Sequence, residues 1–169
     1  MICLLILIDK QGVIMIKQFK CRQQNVALQF QNNNCRRLNV TYIYGPAGSG
    51  KTRFVLDKCD LTDVYFVSRY DQSAFYAYRG ERIIFFDDFA SQIDISDMLC
   101  FLDGYSLVSP CQYKDCVARY VTVYLASDIS LDKQYLDVQA REPEIYEAFL
   151  RRVNHVIRFD SLGVQHTEK

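Results

Sequence analysis

Short runs of consecutive apolar residues, separated by polar and turn-forming segments, set the pattern of this chain from residue 38 onward. Runs of this kind, rich in Val, Ile, Tyr and Phe, predict strands, and the uninterrupted run in 82–86 predicts one that is buried on both faces of a sheet. The predicted strands are 38–44, 63–67, 82–86, 120–126 and 153–159. Apolar residues at helical spacing predict helices between some of these strands, and alternating strands and helices predict an α/β fold with a mostly parallel sheet.

The two ends of the chain have a different pattern. Residues 1–37 contain two apolar pieces around Gln11-Gly12, which predict a hairpin, followed by a polar, amide-rich segment. We therefore predict an N-terminal extension over 1–37, one domain over 38–160 and a loose polar tail over 161–169. The apolar run near the N-terminus is too short to span a bilayer, so no membrane association is expected.

Composition narrows the class of protein. The formal net charge is zero, so nucleic-acid binding has to come from a local patch and not from the overall field. The seven cysteines are scattered and odd in number, and no secretory signal accompanies them. This usage predicts reduced thiols in an intracellular protein, with nothing to distinguish nucleus from cytoplasm.

A glycine-rich stretch directly after the first predicted strand of the domain matches the phosphate-loop pattern G-x-x-x-x-G-K-[ST] at every fixed position. It consists of Gly45, Pro46, Ala47, Gly48, Ser49, Gly50, Lys51 and Thr52. Glycines allow the backbone to curl around a phosphate, and the following helix adds its positive N-terminal dipole. We predict that the whole stretch binds ATP, with Lys51 on the β- and γ-phosphates and the Thr52 hydroxyl on Mg²⁺.

Two carboxylates follow the strand 82–86. Ligands of parallel sheets bind at the carboxyl ends of the strands, so Asp87 and Asp88 are expected near Lys51. Asp87 is predicted to hold Mg²⁺, a hard cation that takes oxygen ligands, and Asp88 to polarise the attacking water. Read alone, the pair could equally be turn residues at a strand end.

Two further candidates are less specific. Ser127-Asp128 ends the strand 120–126, where Asp128 could contact the γ-phosphate or the water; an ordinary turn residue is the alternative. Arg151 and Arg152 follow an apolar helix and could stabilise the charge of the transferring phosphoryl group, often in a neighbouring subunit. Cations that balance the dipole of a helix C-terminus are the alternative.

These elements resemble, in order and spacing, the superfamily 3 helicases. The resemblance covers roughly residues 38–160, and the match looks closest to the helicase domain of replication-associated (Rep) proteins of circular single-stranded DNA viruses and plasmids, which is grouped with viral RNA helicases. It implies an AAA+-like P-loop NTPase that forms a homo-oligomeric ring and uses ATP to move on single-stranded DNA or RNA. Residues 1–37 could then be an oligomerisation segment.

The resemblance also assigns roles and exposes departures. It implies that Asp128 occupies a sensor position where asparagine is usual, and a carboxylate there would repel the γ-phosphate. It implies that a hairpin between the third and fourth strands lines the ring, with Tyr113 and Lys114 contacting nucleic acid. The first histidine is His155, so the chain lacks the histidine motif with which Rep proteins nick DNA.

Three functions remain open at this point. The leading one is an ATP-dependent helicase or translocase. A P-loop ATPase that does not translocate is the second, favoured by the zero net charge. The third is an inactive Rep-like remnant that binds nucleotide only, favoured by Asp128.

Overall fold

The computed structural model describes residues 36–67, 69–70, 74–104 and 118–169, together with the backbone of four short strands elsewhere. It divides the chain into two compact units, Met1–Asn34 and Cys35–Lys169. In the first unit, strand β1 (Leu7–Ile8) is antiparallel to β2 (Ile14–Met15), which confirms the predicted hairpin.

The second unit alternates strands and helices along most of its length. In chain order its elements are β3 (Asn39–Tyr44), α1 (Lys51–Lys58), β4 (Val64–Val67), β5 (Ile83–Phe86), α2 (Ile95–Phe101), β6 (Val108–Pro110), β7 (Asp115–Val117), β8 (Thr122–Ser127), α3 (Leu136–Arg141), α4 (Pro143–Arg152), β9 (His155–Phe159) and β10 (Gln165–Thr167). Short 3-10 turns, Leu61–Asp63 and Leu131–Lys133, precede β4 and α3.

Six of these strands form one sheet in the order β10-β9-β3-β8-β5-β4. All neighbours are parallel except β10, which is antiparallel to β9. The predicted α/β fold and its five strands are therefore confirmed. Strand β3 lies inside the sheet, with Tyr44 in register with Ser127 on one side and Arg158 on the other.

The sheet has two faces because successive side chains of a strand point in opposite directions. On β3, Tyr42 belongs to a large core on one face and Ile43 to a smaller core on the other; on β8, Leu125 and Ala126 divide in the same way. The large core includes residues of α2 and α4, whereas α1 contributes Phe54 and Val55 to the small one. Aromatic rings fill much of the large core, which explains the high Tyr and Phe content.

The structure corrects the predicted domain at both its N-terminal and its C-terminal boundary. The predicted tail is not loose, because β10 pairs with β9 and the Lys169 ammonium donates to the carbonyl of Val153 at 2.6 Å. At the other edge, Arg36 belongs to the second unit: its guanidinium donates to the carbonyl of Tyr120 at 2.9 Å and lies 4.5 Å from the centre of that ring.

The antiparallel pair β6–β7 confirms the hairpin predicted between the third and fourth strands of the domain. In the part of the chain that the structure describes, no helix has the length and apolar character needed to cross a membrane.

Candidate functional site

Three loops meet at the carboxyl edge of the sheet. Because β3, β5 and β8 are parallel neighbours, the residues that follow them lie side by side. Gly45 follows β3, Asp87 follows β5, and Asp128 follows β8. The amide of Gly45 donates to the carbonyl of Ser127 at 3.2 Å, which joins two of these loops directly.

The glycine loop presents its amides without competition from its own side chains. Gly50 is the N-cap of α1 at φ +91°, a conformation that favours glycine, and no side chain caps the helix. The first N–H groups of a helix have no intrahelical acceptor. The Ser49 hydroxyl is buried and, among the described residues, has no hydrogen-bond partner. An anion seated in the loop would give these donors an acceptor, so the loop fits a phosphate group.

Gly45 has a second reason to be glycine. A Cβ atom at this position would lie 2.4 Å from the backbone oxygen of Phe159, at the end of β9. The start of the glycine loop thus contacts the last parallel strand, and a side chain there would force them apart.

Lys51 is buried, and its ammonium group has three acceptors. The Nζ atom donates to the carbonyls of Gly45 at 2.7 Å and Pro46 at 2.9 Å, and to Oδ1 of Asp128 at 2.8 Å. An ammonium has three protons, so all are used. The Asp128 side chain is 53% exposed, whereas that of Lys51 is 7% exposed. Of the three partners, Asp128 is therefore the one that an incoming phosphate can most easily replace.

Thr52 and Asp87 form the part of the site that suits a metal ion. The Thr52 hydroxyl lies 3.2 Å from Oδ1 and 3.4 Å from Oδ2 of Asp87. A hydroxyl and a carboxylate this close supply two of the hard oxygen ligands that Mg²⁺ prefers, and Mg²⁺ commonly takes the others from water and phosphate. The donor set therefore fits the predicted magnesium ion.

Asp88 occupies a strained turn beside Asp87. It is exposed and its backbone has φ +53°, an uncommon value for a residue other than glycine. Its carbonyl accepts a hydrogen bond from the Gln92 amide at 2.7 Å. The next residue, Phe89, is fully buried and its N–H donates to the carbonyl of Ala126 at 2.7 Å. Asp88 thus projects at the edge of the sheet between two anchored neighbours.

Tyr70 anchors the same turn from the other side. Its hydroxyl donates to the backbone carbonyl of Asp87. Burial raises the pKa of Tyr70 well above its usual value, and the negative charges of Asp87 and Asp88 raise it further. The hydroxyl therefore remains a neutral hydrogen-bond donor.

Arg151 and Arg152 lie at the opposite edge of the sheet. Asn154, just after them, hydrogen-bonds the N–H of Val40 at 2.7 Å, at the amino end of β3. The six residues of β3 place its two ends about 17 Å apart, at roughly 3.3 Å per residue. Arg152 pairs with Asp103 at 3.2 Å and also donates to the carbonyl of Ala148 at 3.0 Å. Within one chain, the structure does not bring these arginines to Lys51.

The predicted nucleic-acid contacts, Tyr113 and Lys114, lie outside the described residues. They fall between β6 and β7, the two strands of the hairpin. Their assignment therefore stays a prediction.

Sequence reasoning missed a group of residues behind the site. Gln134, Ser91 and Tyr42 connect the loops after β5 and β8 to β3 through hydrogen bonds. A lone glutamine in a polar loop carries no motif, and Ser91 resembles any turn residue. Only the pairing of the strands brings them together.

A model of the RNA helicase family matches residues 41–128, more than half of the chain. No curated protein matches the chain. The matched range contains the glycine loop, Asp87 and Asp88, and Asp128, and it ends before Arg151. With the α/β sheet described above, the fold is that of a P-loop NTPase, a class that binds nucleotides and usually a divalent metal ion. The chain belongs to the RNA helicase family, that of superfamily 3 helicase domains.

Proposed function

We propose that the chain hydrolyses ATP with Mg²⁺ and uses the reaction to move along single-stranded nucleic acid. The observation that carries the proposal is the carboxyl edge of the sheet. There Lys51, the Thr52–Asp87 pair and Asp88 surround a glycine loop whose buried Ser49 hydroxyl has no partner among the described residues. Membership of the RNA helicase family supports the same function.

The residues divide the work by charge. The amides of the glycine loop and the Lys51 ammonium would bind the phosphates of ATP, and Thr52 and Asp87 would hold Mg²⁺. When bound, the metal ion neutralises charge on the phosphate oxygens. Asp88, exposed beside Asp87, would orient the attacking water and accept its proton. The water oxygen would bond to the γ-phosphorus as the bond to the bridging oxygen breaks, which releases ADP and phosphate.

Asp128 would give up its ion pair with Lys51 when ATP binds. In the structure it forms an ion pair with Lys51, and the phosphate of ATP would take its place on the ammonium group. A released carboxylate close to the γ-phosphate could then sense whether the nucleotide is bound, at the cost of some repulsion.

The placement of Arg151 is compatible with a ring of identical chains. Arg151 is exposed at the edge of the sheet opposite the glycine loop. In a head-to-tail ring, one edge of each chain faces the other edge of its neighbour. Arg151 could then reach the site of the next chain, while Tyr113 and Lys114 would contact the strand of nucleic acid.

The test is steady-state ATP hydrolysis by the purified chain, alone and with single-stranded DNA or single-stranded RNA. We expect one of these nucleic acids to raise the rate of hydrolysis, and we expect the Lys51→Ala variant to lose hydrolysis altogether. Lys58→Ala, at an exposed position of the same helix, is the matched control. Hydrolysis that survives Lys51→Ala would refute the phosphate-loop assignment. Lys51-dependent hydrolysis that ignores both nucleic acids would indicate an ATPase that does not translocate.

A second candidate, nucleotide binding without turnover, is favoured by the Lys51–Asp128 ion pair. If the carboxylate competes with the γ-phosphate, ADP would bind as tightly as ATP and hydrolysis would be absent. Equal affinity for the two nucleotides, with no phosphate release, would support this candidate over the first.

A further inference from the structure

Gln134 is completely buried behind the carboxyl edge of the sheet. Its amide nitrogen lies 2.7 Å from the Tyr42 hydroxyl, 3.2 Å from the carbonyl of Phe89 and 3.1 Å from the Ser127 hydroxyl. Its amide oxygen accepts a hydrogen bond from the Ser91 hydroxyl at 2.5 Å. One side chain therefore links β3, the end of β8 and the turn that carries Asp87 and Asp88.

The orientation of this amide is fixed by its surroundings. The carbonyl of Phe89 can only accept, so the nitrogen of Gln134 has to face it. The Ser91 hydroxyl accepts a hydrogen bond from the N–H of Tyr135 at 2.8 Å and donates one to the Gln134 oxygen. Tyr42 in turn donates to the carbonyl of Ile129 at 2.8 Å. The carbonyl of Phe89 therefore fixes the orientation of the amide, whose two N–H protons serve three acceptors: that carbonyl and the hydroxyls of Tyr42 and Ser127.

Strained backbone positions gather around the same side chain. Within the described part of the chain, three residues other than glycine have positive φ: Asp88 at 53°, Ser91 at 59° and Tyr135 at 54°. Asp88 and Ser91 flank Phe89, whose carbonyl is bonded to Gln134, and Tyr135 is the residue after Gln134. Such conformations are unfavourable for residues other than glycine and persist only where the surrounding structure holds them. The Gln134 hydrogen bonds supply that restraint.

We propose that Gln134 is a positioning residue that holds the Asp87–Asp88 turn against the loop of Asp128. It touches neither phosphate nor metal ion, since it lies in the core. It acts through Phe89 and Ser91, which fix the backbone that directly follows Asp88. This role rests on the proposed ATP hydrolysis, in which Gln134 would keep the carboxylates of Asp87 and Asp88 in position.

The first variant is Gln134→Met, which keeps the length of the side chain and removes every hydrogen bond. The glycine loop and Lys51 stay intact, so KM for ATP should stay within about twofold of wild type. A displaced Asp88 turn should lower kcat at least about tenfold, because misplacement of a reacting group by about 1 Å can cost a hundredfold in rate. A purely structural role would not produce this split between kcat and KM.

The second variant, Ser91→Gly, covers the case in which Gln134→Met fails to fold. Glycine adopts the observed φ without strain, so the turn can keep its shape while the bond to Gln134 is lost. We expect a fall in kcat of about fivefold, and the relief of backbone strain should offset part of the stability lost with the hydrogen bonds to Gln134 and Tyr135. The control is Gln139→Ala, a glutamine of the following helix that bonds the backbone of Asp132 and Gln134 but not the turn.

The outcomes separate this inference from the proposed function. Lys51-dependent hydrolysis in the wild-type chain together with wild-type kcat in a folded Gln134→Met or in Ser91→Gly overturns only the inference. If the Gln139→Ala control loses as much kcat as the Gln134 and Ser91 variants, the effect belongs to general loop stability and the inference also fails. A wild-type chain that does not hydrolyse ATP overturns both.

Discussion

The two edges of the sheet use charge in opposite ways. At the amino edge, Arg152 is bonded to Asp103 and to a carbonyl of its own helix, so its charge is already satisfied. At the carboxyl edge, Lys51 faces a carboxylate that is more than half exposed, beside a loop whose Ser49 hydroxyl has no partner among the described residues. The charge of Arg152 is therefore bonded within the fold, whereas the carboxylate that partners Lys51 at the carboxyl edge remains exposed to solvent.

This difference is a consequence of parallel strand pairing. Every parallel strand delivers its following loop to the same edge, so residues far apart in sequence gather there. The returning helices bring the opposite ends of their segments to the amino edge, where α4 ends at Arg152. Charged residues therefore mean different things at the two edges, and the following experiments test that distinction.

The largest effect is expected from the two arginines, which the comparison separates. If Arg151 completes the site of a neighbouring chain, Arg151→Ala should lower turnover about a thousandfold without changing ATP binding. Arg152→Ala should leave turnover per folded chain unchanged and lower the free energy of unfolding by about 1 kcal/mol, because a partly exposed ion pair is lost. Hydrolysis rates and thermal unfolding of both variants provide the measurement.

Mixing gives this prediction a sharper test. We expect chains with Lys51→Ala and chains with Arg151→Ala each to be inactive alone, whereas a mixed ring would contain some sites with both groups intact. Recovery of activity on mixing would support action between chains. Normal turnover in Arg151→Ala would return that arginine to the structural class of Arg152.

The next largest effect is expected at the metal ligands. Asp87→Asn keeps the hydrogen bond with Thr52 possible but removes the charge, so hydrolysis should fall about a hundredfold or more, the scale of losing several kcal/mol of metal-assisted stabilisation. The measurement is the rate against Mg²⁺ concentration, with Asp57→Asn on the exposed side of α1 as the control. A rate that is unchanged at every Mg²⁺ concentration would exclude Asp87 as a ligand.

A smaller effect, in the direction of tighter binding, is expected at Asp128. Asp128→Asn removes the carboxylate that occupies Lys51, and an ion pair with one half-exposed partner is worth about 1 kcal/mol, so ATP affinity should rise about fivefold. Titration with a fluorescent ATP analogue at low and high salt measures it, since the ion pair weakens with salt. Asp132→Asn, a charge change on the same loop, is the control. Weaker binding in Asp128→Asn would mean that the carboxylate helps to hold the ligand.

The last prediction concerns alkaline stability and leaves activity unchanged. Burial raises the pKa of Tyr42 to about 12, and its unfolded-state value is near 10.0. Because the folded value is the higher one, the stabilising contribution is complete below pH 10 and disappears as the pH rises toward 12. Between about pH 9 and pH 12, the free energy of unfolding in urea should therefore fall less in Tyr42→Phe than in wild type. The difference arises from the gap of about two pKa units between the folded and unfolded states of Tyr42. If the free energy of unfolding falls equally steeply with pH in both proteins, Tyr42 is not protected from ionisation.

Much of the fold could be predicted because it is encoded in local patterns. The run 40–44 is β-branched and aromatic, and the run Ile83–Phe86 is an uninterrupted apolar segment; buried parallel strands have these signatures. The edge strand β10 was missed because Gln165–Thr167 is polar and exposed throughout. This strand is defined by its backbone pairing with β9, and the pattern of apolar residues along the chain contains no trace of that pairing.

The candidate residues for nucleotide binding could be named from the sequence alone. A glycine loop followed by Lys51 and Thr52 is recognisable because phosphate binding requires those residue types at consecutive positions. The tertiary structure decided which charges meet. It placed Asp128 on Lys51, separated Arg152 from the site, and put Gln134 behind the Asp87–Asp88 turn. These contacts join residues that are distant in the chain, so they follow from strand order and burial, which no local stretch of sequence contains.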